Sequence, residues 1–289
     1  MEKMPGRITL YLRMIKFSHS VFALPFAFTG ALFAASGVPP LPKVFWIIIA
    51  MVGARSGAMG LNRIIDSRID KENPRTRGRE IPSGKISIRD AAFFTAISLV
   101  ILEIAAYNLN ALCLKLSPLA LSLLILYSYS KRFTWMSHFL LGIAISLAPL
   151  GAWIAVRGTI DMAIFPLTVT VVFWLAGFDV LYALQDTEFD RSKGLYSIPQ
   201  RFGLKKALFL SRSFHGMAMS FLIYSGLIFG RGVFYWIGIV VVAGLFIYEH
   251  SLVKSDDLSK LDVAFFTMNG YISVAVFLAT LADYLIPLT

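Results

Sequence analysis

Two groups of aspartates, with four-residue spacing inside each group, are the feature of this 289-residue sequence best suited to chemistry. The first group is Asp66 and Asp70, preceded by Asn62, and the second group is Asp186 and Asp190. Each aspartate of the second group follows its counterpart in the first by 120 residues. Side chains four residues apart share one face of a helix, so we expect each group to form a carboxylate cluster.

Two more polar residues extend the second group along the same predicted helical face. Asp179 lies seven residues before Asp186, which is nearly two helical turns. Tyr182 lies four residues before Asp186, in the register that Asn62 has in the first group. The shared register indicates an internal duplication of a segment that ends in two aspartates. We expect Asp179 and Tyr182 to line the same site and to orient the metal ligands or the substrate.

Stacked carboxylates repel one another unless a positive charge lies between them. Mg2+ binds hard oxygen ligands, usually one or two carboxylates together with substrate phosphates and water. Two facing clusters therefore suit a diphosphate held through two Mg2+ ions, with four metal ligands: Asp66, Asp70, Asp186 and Asp190. A single pair of aspartates with this spacing would be explained more simply as a solvated helix end paired with nearby arginines. Two such pairs in the same register favour metal binding instead.

Basic residues close to both groups complete a predicted anion site. Arg75 and Arg79 follow the first group, Lys193 follows the second, and Lys131 lies at the end of another apolar segment. Arginine binds phosphate through two parallel hydrogen bonds, whereas lysine acts as a point charge. We expect these four residues to bind phosphate, the alternative being a role in membrane orientation or in contact with anionic lipid.

The composition excludes a soluble domain. Hydrophobic residues make up 57% of the chain and charged residues 15%, against roughly 45–50% and about 25% in soluble domains. The net charge of +10 raises the possibility of nucleic-acid binding. The basic residues lie in loops between apolar segments, however, so no nucleic-acid partner is expected. The single cysteine, Cys113, excludes an internal disulfide and a cysteine-based metal site.

Nine apolar segments predict nine transmembrane helices, because backbone groups in lipid must be paired within each segment. The segments are 17–36, 44–62, 91–108, 111–129, 138–156, 163–184, 207–229, 232–250 and 263–285. Of the 27 basic residues, 21 fall on the side of the N-terminus and three on the opposite side. The positive-inside rule therefore predicts a cytoplasmic N-terminus. Both aspartate groups adjoin long charged loops on that side, residues 63–90 and 185–206.

Arg55 lies well inside the second apolar segment, where an unpaired charge is costly. No acidic residue lies one helical turn from it in the sequence. A substrate carboxylate would supply its partner. A distant aspartate or backbone carbonyl groups are the alternative partners.

These motifs together resemble the UbiA superfamily of intramembrane prenyltransferases. The resemblance covers essentially the whole chain as one domain, residues 1–289. It rests on Asn-x3-Asp-x3-Asp, on Asp-x3-Asp, on the run Arg75–Gly84 (Arg-Thr-x-x-Arg-x-Ile-Pro-Ser-Gly), and on Tyr182-Ala-x-x-Asp186. It is closest to the 4-hydroxybenzoate polyprenyltransferase branch, including its relatives in the menaquinone pathway. The family often has an aspartate directly after the motif asparagine, where this chain has Arg63.

The resemblance implies an all-α fold of nine transmembrane helices around a central cavity, in the inner or cell membrane of a bacterium or archaeon. It implies an active site that faces the cytoplasm and a Mg2+-dependent transfer from polyprenyl diphosphate to an aromatic acid. The foremost acceptor is 4-hydroxybenzoate, prenylated ortho to its hydroxyl group in ubiquinone biosynthesis, with Arg55 at the carboxylate. The polyprenyl tail would extend into membrane lipid.

Two alternatives remain open from the sequence. A hydroxylated naphthoate, prenylated for menaquinone, suits Arg55 equally well as an acceptor. An ion-coupled secondary transporter would place carboxylates at an internal repeat. Transporter sites usually lie near the middle of the membrane, whereas both aspartate groups are expected at the cytoplasmic helix ends.

Overall fold

The computed structural model describes residues 6–16 and 22–286, and this part of the chain contains helices and no β-strand. The helices are α1 Arg7–Met14, α2 Ala23–Ala35, α3 Leu41–Ile65, α4 Ser67–Glu72, α5 Ile88–Leu109, α6 Ala111–Ser130, α7 Ser137–Arg157, α8 Phe165–Ala183, α9 Thr187–Lys193, α10 Ile198–Phe202, α11 Leu204–Ile228, α12 Val233–Leu252 and α13 Asn269–Leu285. Short 3-10 turns cover Met162–Ile164 and Leu184–Asp186, and a π-helical turn covers Val263–Met268. The predicted all-α class is therefore confirmed.

Each predicted apolar segment contains a helix in the described part of the chain; residues 17–21 of the first segment lie outside it. Among the described residues, seven stretches are long and apolar enough to cross a membrane: α3, α5, α6, α7, Met162–Lys193, α12 and Val263–Leu285. The other two segments fall short. Helix α2 has 13 residues within the described part of its segment, and α11 is interrupted by polar residues such as Arg212 and His215. The chain is thus an integral membrane protein by composition and helix length, while nine spans remain a prediction.

Glycines allow α3 and α5 to pack closely, which fixes the end of α3 that carries the first aspartate group. A Cβ atom at Gly53 would lie 2.8 Å from the backbone nitrogen of Leu102. A Cβ atom at Gly60 would lie 2.1 Å from Thr95 Oγ1. Small residues at such contacts let membrane helices approach each other and pack backbone to backbone.

Candidate active site

Each helix that carries an aspartate group is interrupted at the first aspartate of the group. Helix α3 ends before Asp66, which has φ −89° and ψ 1°, and α4 begins one residue later. The turn after α8 ends at Asp186, which has φ −101° and ψ 4°, and α9 begins one residue later. This sparsely populated backbone region recurs at active-site residues. The prediction that each aspartate group lies on one continuous helix is therefore wrong in detail, because each group spans a break between two helices.

The carboxylate of Asp66 is buried and paired with two cations. Lys131 Nζ lies 2.8 Å from its Oδ2, and Arg132 Nη2 lies 2.8 Å from its Oδ1. Asn62 Nδ2 donates to Oδ2 at 3.2 Å. The backbone amide of Asp66 donates to the Asn62 carbonyl at 2.9 Å, which keeps the four-residue register up to the break. The end of α3 is thereby joined to the loop that follows α6.

Asp70, on α4, is buried and paired with Arg79. Arg79 Nη1 donates to both carboxylate oxygens of Asp70 at 2.8 Å. The Thr76 hydroxyl donates to the backbone carbonyl of Asp70 at 3.1 Å. These contacts fold the arginine-rich loop back over its own aspartate group, as the predicted anion site requires.

Asp186 joins the two groups into one site. Arg75, from the loop after the first group, donates from Nε to Asp186 Oδ1 at 3.0 Å and pairs through Nη2 with Oδ2. Asn73 Nδ2 donates to the same Oδ1 at 3.0 Å. Arg75 Nη1 also donates to the Tyr182 hydroxyl at 2.6 Å. The predicted convergence of the two halves of the chain is therefore present in the geometry.

Asp190 has a different environment from the other three carboxylates. It accepts a hydrogen bond from Ser197 Oγ at 2.9 Å, and no lysine or arginine forms an ion pair with it among the described residues. Lys193, three residues later, pairs instead with Glu72 on α4, and both side chains are well exposed. Lys193 does not line the cavity described below, so the structure sets it apart from the other predicted phosphate-binding residues.

Asp179 is held by His138, a residue that the sequence patterns did not single out. His138 Nδ1 lies 2.7 Å from Asp179 Oδ2. The backbone amide of Ile198 donates to His138 Nε2 at 3.2 Å. Nε2 is therefore the acceptor, so the proton lies on Nδ1 and points at Asp179. A lone histidine in an apolar segment carries no signal in the sequence that would distinguish it from a packing residue.

All four motif aspartates line one cavity of about 600 Å³. Polar residues line one end, and the remaining wall is largely aliphatic, extending to Ile47, Ile154 and Ile160. Arg55 lies on this wall together with Tyr127. The Arg55 Nε atom is buried and has no hydrogen-bond partner in the described part of the chain. The guanidinium group is thus available to an anionic ligand.

Two further basic residues line the polar end, Lys16 and Arg63. Lys16 Nζ lies 5.1 Å from the ring centroid of Phe266 and 5.9 Å from that of Tyr182. Burial, together with the charges of three nearby arginines, lowers the pKa of the Lys16 amine to about 8. Arg63 is buried and donates from Nε to the Met14 carbonyl at 3.1 Å. In the sequence both resemble the many other basic residues that set membrane orientation.

The donor set suits Mg2+. Four carboxylates and the Asn62 amide face one cavity, and hard oxygen donors of this kind are the ligands that Mg2+ prefers. Three of the carboxylates are paired with basic groups, so the cavity presents cations beside the oxygen donors. Asp66, Asp70, Asp186 and Asp190 are the residues that would hold the metal.

Comparison with known proteins agrees with this geometry. The sequence profile of the UbiA prenyltransferase family matches residues 23–271. The 4-hydroxybenzoate octaprenyltransferase of Pseudomonas aeruginosa (strain UCBPP-PA14) is 31% identical over 252 residues, which is 87% of this chain and 84% of that protein.

Solved structures show the same fold. The apo structure of a UbiA homolog from Aeropyrum pernix K1 superposes with a TM-score of 0.84 at 30% identity, covering 92% of this chain and 98% of that chain. A UbiA homolog from Archaeoglobus fulgidus bound to DMAPP and Mg2+ superposes with a TM-score of 0.72 at 21% identity, covering 96% and 99%.

Proposed function

The chain belongs to the UbiA prenyltransferase family, and from this premise we propose that it transfers a polyprenyl group from polyprenyl diphosphate to 4-hydroxybenzoate. The observation that carries the proposal is one apolar cavity with four aspartates and their basic partners at one end and Arg55 along its wall. The curated relatives act on 4-hydroxybenzoate by name, and the Arg55 side chain suits that acid's carboxylate.

The polar end of the cavity would bind the diphosphate. Mg2+, when bound by the four aspartates, supplies positive charge that stabilises the pyrophosphate leaving group. Arg75, Arg79, Lys131 and Arg132, released from their aspartates, would donate hydrogen bonds to phosphate oxygens. Lys16 lies at the same end and would add a further charge. This concentration of donors favours cleavage of the bond between the allylic carbon and the diphosphate oxygen.

Aromatic side chains beside the diphosphate would stabilise the allylic cation. The Tyr182 and Phe265 rings stack at 4.2 Å between centroids, and both line the cavity. Aromatic faces attract a nearby cation, and the aliphatic wall excludes water that would quench it. The aliphatic wall would also hold the isoprenoid chain. Its lining includes the exposed residues Val52 and Leu119, so the tail would extend from the cavity towards lipid.

Arg55 would orient the acceptor through a charge-assisted pair with its carboxylate. Pyrophosphate leaves with the electrons of the broken carbon–oxygen bond, and the ring carbon ortho to the phenol hydroxyl then forms its new bond to the allylic cation. Loss of the proton from that ring carbon restores the aromatic ring. Asp179, held in place by His138, faces the same cavity and would orient the substrate or the metal ligands.

The positive-inside pattern favours a site at the cytoplasmic side of the membrane, with the N-terminus also inside. Family membership favours the cell (inner) membrane of a bacterium or archaeon. Family membership favours the enzyme over the ion-coupled transporter. A hydroxylated naphthoate remains the second acceptor, because Arg55 would pair with its carboxylate in the same way.

The acceptor is tested with purified protein in detergent, polyprenyl diphosphate and equal concentrations of 4-hydroxybenzoate and a dihydroxynaphthoate, with Mg2+ or with EDTA. We expect prenylated 4-hydroxybenzoate as the main product, formed only with Mg2+. Prenylated naphthoate as the main product would replace the proposed acceptor, and transfer to neither acid would contradict the proposal.

A further inference from the structure

A second cluster of polar side chains lies buried outside the active-site cavity. It consists of His215 on α11 and of Glu249 and His250 on α12, and none of the three lines the cavity. His215 is 1% exposed and Glu249 is fully buried. His215 Nδ1 lies 2.9 Å from His250 Nε2 and 3.4 Å from Glu249 Oε2. Three potential ligand atoms thus lie between two helices, all within 4.8 Å of one another.

The hydrogen bonds around the cluster leave two of its buried polar atoms without a partner among the described residues. His215 Nε2 lies 3.2 Å from the carbonyl oxygen of Trp174, so Nε2 carries the proton and Nδ1 turns a lone pair inward. Asn269 Nδ2 donates to Glu249 Oε1 at 2.7 Å, whereas Oε2 is buried without a hydrogen-bond partner among the described residues. The Nδ1 atom of His250 also lacks a partner there. A buried carboxylate oxygen without a donor is costly, and a cation at this point would remove that cost.

We infer that His215, Glu249 and His250 bind a divalent transition-metal ion, with Zn2+ as the best match. Zinc bonds of about 2.0–2.2 Å in tetrahedral geometry place ligand atoms about 3.3 Å apart, close to the separations of 2.9 and 3.4 Å seen here. Because His215 Nδ1 is unprotonated, His250 Nε2 donates to it at 2.9 Å, and this proton would move to His250 Nδ1 when Nε2 binds the metal. Two imidazoles and one carboxylate favour zinc over Mg2+, which prefers oxygen ligands. Three side-chain ligands would leave one tetrahedral position for a water molecule.

Outer contacts orient two of the three ligands, His215 and Glu249. The Trp174 carbonyl orients His215, and Asn269 orients Glu249 while accepting a hydrogen bond from Trp174 Nε1 at 2.6 Å. Metal-binding histidines and carboxylates usually have such partners. Gly177 of α8 leaves the space that His215 occupies, because a Cβ atom there would lie 2.3 Å from His215 Nε2.

Bound zinc would also stabilise the wall of the active site. Asn269 Nδ2 donates to the carbonyl groups of Ala264 and Phe265 at 3.1 Å, within the π-helical turn. Phe265 stacks on Tyr182 in the cavity. The metal would therefore link α11 and α12 to the turn that presents Phe265.

Zinc binding is tested with EDTA-stripped protein in detergent, titrated with Zn2+ alone, without Mg2+ or prenyl diphosphate. We expect one Zn2+ per chain, a higher Tm, and X-ray absorption showing nitrogen and oxygen ligands at about 2.0–2.2 Å. Glu249→Gln and His250→Gln should each weaken Zn2+ binding by more than about 100-fold. That is more than the loss expected when a residue that only contacts a metal ligand is replaced. Co2+ bound to wild-type protein should give the intense visible absorption of four-coordinate cobalt, and this measurement needs no variant to fold.

Two matched controls separate this site from other metal sites. Arg212→Gln removes the exposed cation one turn before His215 and leaves all three ligands, so zinc binding should persist. Asp186→Asn alters the active site and should also leave zinc binding unchanged. The inference is overturned if wild-type protein binds no Zn2+, or if Asp186→Asn loses the ion while Glu249→Gln keeps it.

Discussion

Asp66 and Asp186 interrupt their helices in nearly the same backbone conformation, with φ and ψ of −89° and 1° in one and −101° and 4° in the other. Each is followed by a short helix that carries the second aspartate of its group. Their cationic partners come from different loops, Lys131 and Arg132 for Asp66 and Arg75 for Asp186. The two halves of the chain thus present equivalent carboxylates to one cavity, as a diphosphate held through two metal ions requires.

Replacement of either aspartate should abolish turnover and spare the fold. We expect Asp66→Asn and Asp186→Asn each to lower kcat by at least about 100-fold, because each removes a negative ligand from the charge-stabilising end of the site. Asp256→Asn, at an exposed position in the loop after α12, is the matched control and should have wild-type activity. Product formation is measured by mass spectrometry, with elution volume and Tm as checks on the fold. Near-normal turnover in both variants would contradict the assignment of these aspartates.

Arg55 should determine the affinity for the acidic acceptor. Loss of a charge-assisted pair is worth about 1.5–3 kcal/mol, so we expect Arg55→Gln to raise the KM for 4-hydroxybenzoate by roughly 10- to 100-fold. Arg55→Lys should be intermediate, because lysine lacks the planar fork. The KM for the diphosphate should not change, and the variant should treat 4-hydroxybenzamide, which lacks the charge, much as the wild-type enzyme does. An unchanged KM for the acid would exclude Arg55 as its partner.

Activity should fall with rising pH through the titration of Lys16. Its folded-state pKa of about 8 lies below the ordinary value of 10.5, so the amine is charged below pH 8 and becomes neutral above it. The charged form attracts the diphosphate, so kcat/KM for polyprenyl diphosphate should decline as pH rises past 8. Lys16→Arg keeps its charge and should flatten this part of the profile. If both enzymes show the same decline, another group is responsible.

The contact between α3 and α5 should be intolerant of added volume. Gly53→Ala would place a methyl group 2.8 Å from backbone atoms of Ser98 and Leu102, which cannot move alone. We expect it to lower the free energy of unfolding by about 1–3 kcal/mol and to reduce kcat by shifting the end of α3. Gly244→Ala, in α12 with no atom within 4 Å of its Cβ position, should be neutral or stabilising by up to about 1 kcal/mol. Unfolding in detergent micelles compares the two, and equal stability would show that the contact can relax.

The long helices were predictable because an apolar segment in lipid must pair its backbone groups internally. All nine predicted segments contain a helix in the described part of the chain. The breaks at Asp66 and Asp186 were not predictable, since four-residue spacing is the same in a continuous helix and in two helices joined at an aspartate. Arg75 was predicted to lie near the aspartate groups, but its contact with Asp186 was not, because the sequence does not indicate which residue a loop arginine will contact.

Residues whose role depends on long-range packing were missed or misplaced. His138 and Asp179 are 41 residues apart, and only the packing of α7 against α8 brings them to 2.7 Å. Lys193 follows Asp190 by three residues, which favoured a role in phosphate binding, but in the structure its side chain pairs with Glu72. His215 and Glu249 lie on different helices and form no local motif in the sequence.

The central claim is tested most directly by following both products of a single reaction. Wild-type protein is mixed with polyprenyl diphosphate, 4-hydroxybenzoate and Mg2+, and pyrophosphate and prenylated acid are quantified over time. We predict one pyrophosphate released for each prenylated acid formed, with the new bond at the ring carbon ortho to the hydroxyl group, and neither product in EDTA. Pyrophosphate release without a prenylated acid, or no release with any acidic acceptor, would contradict the account.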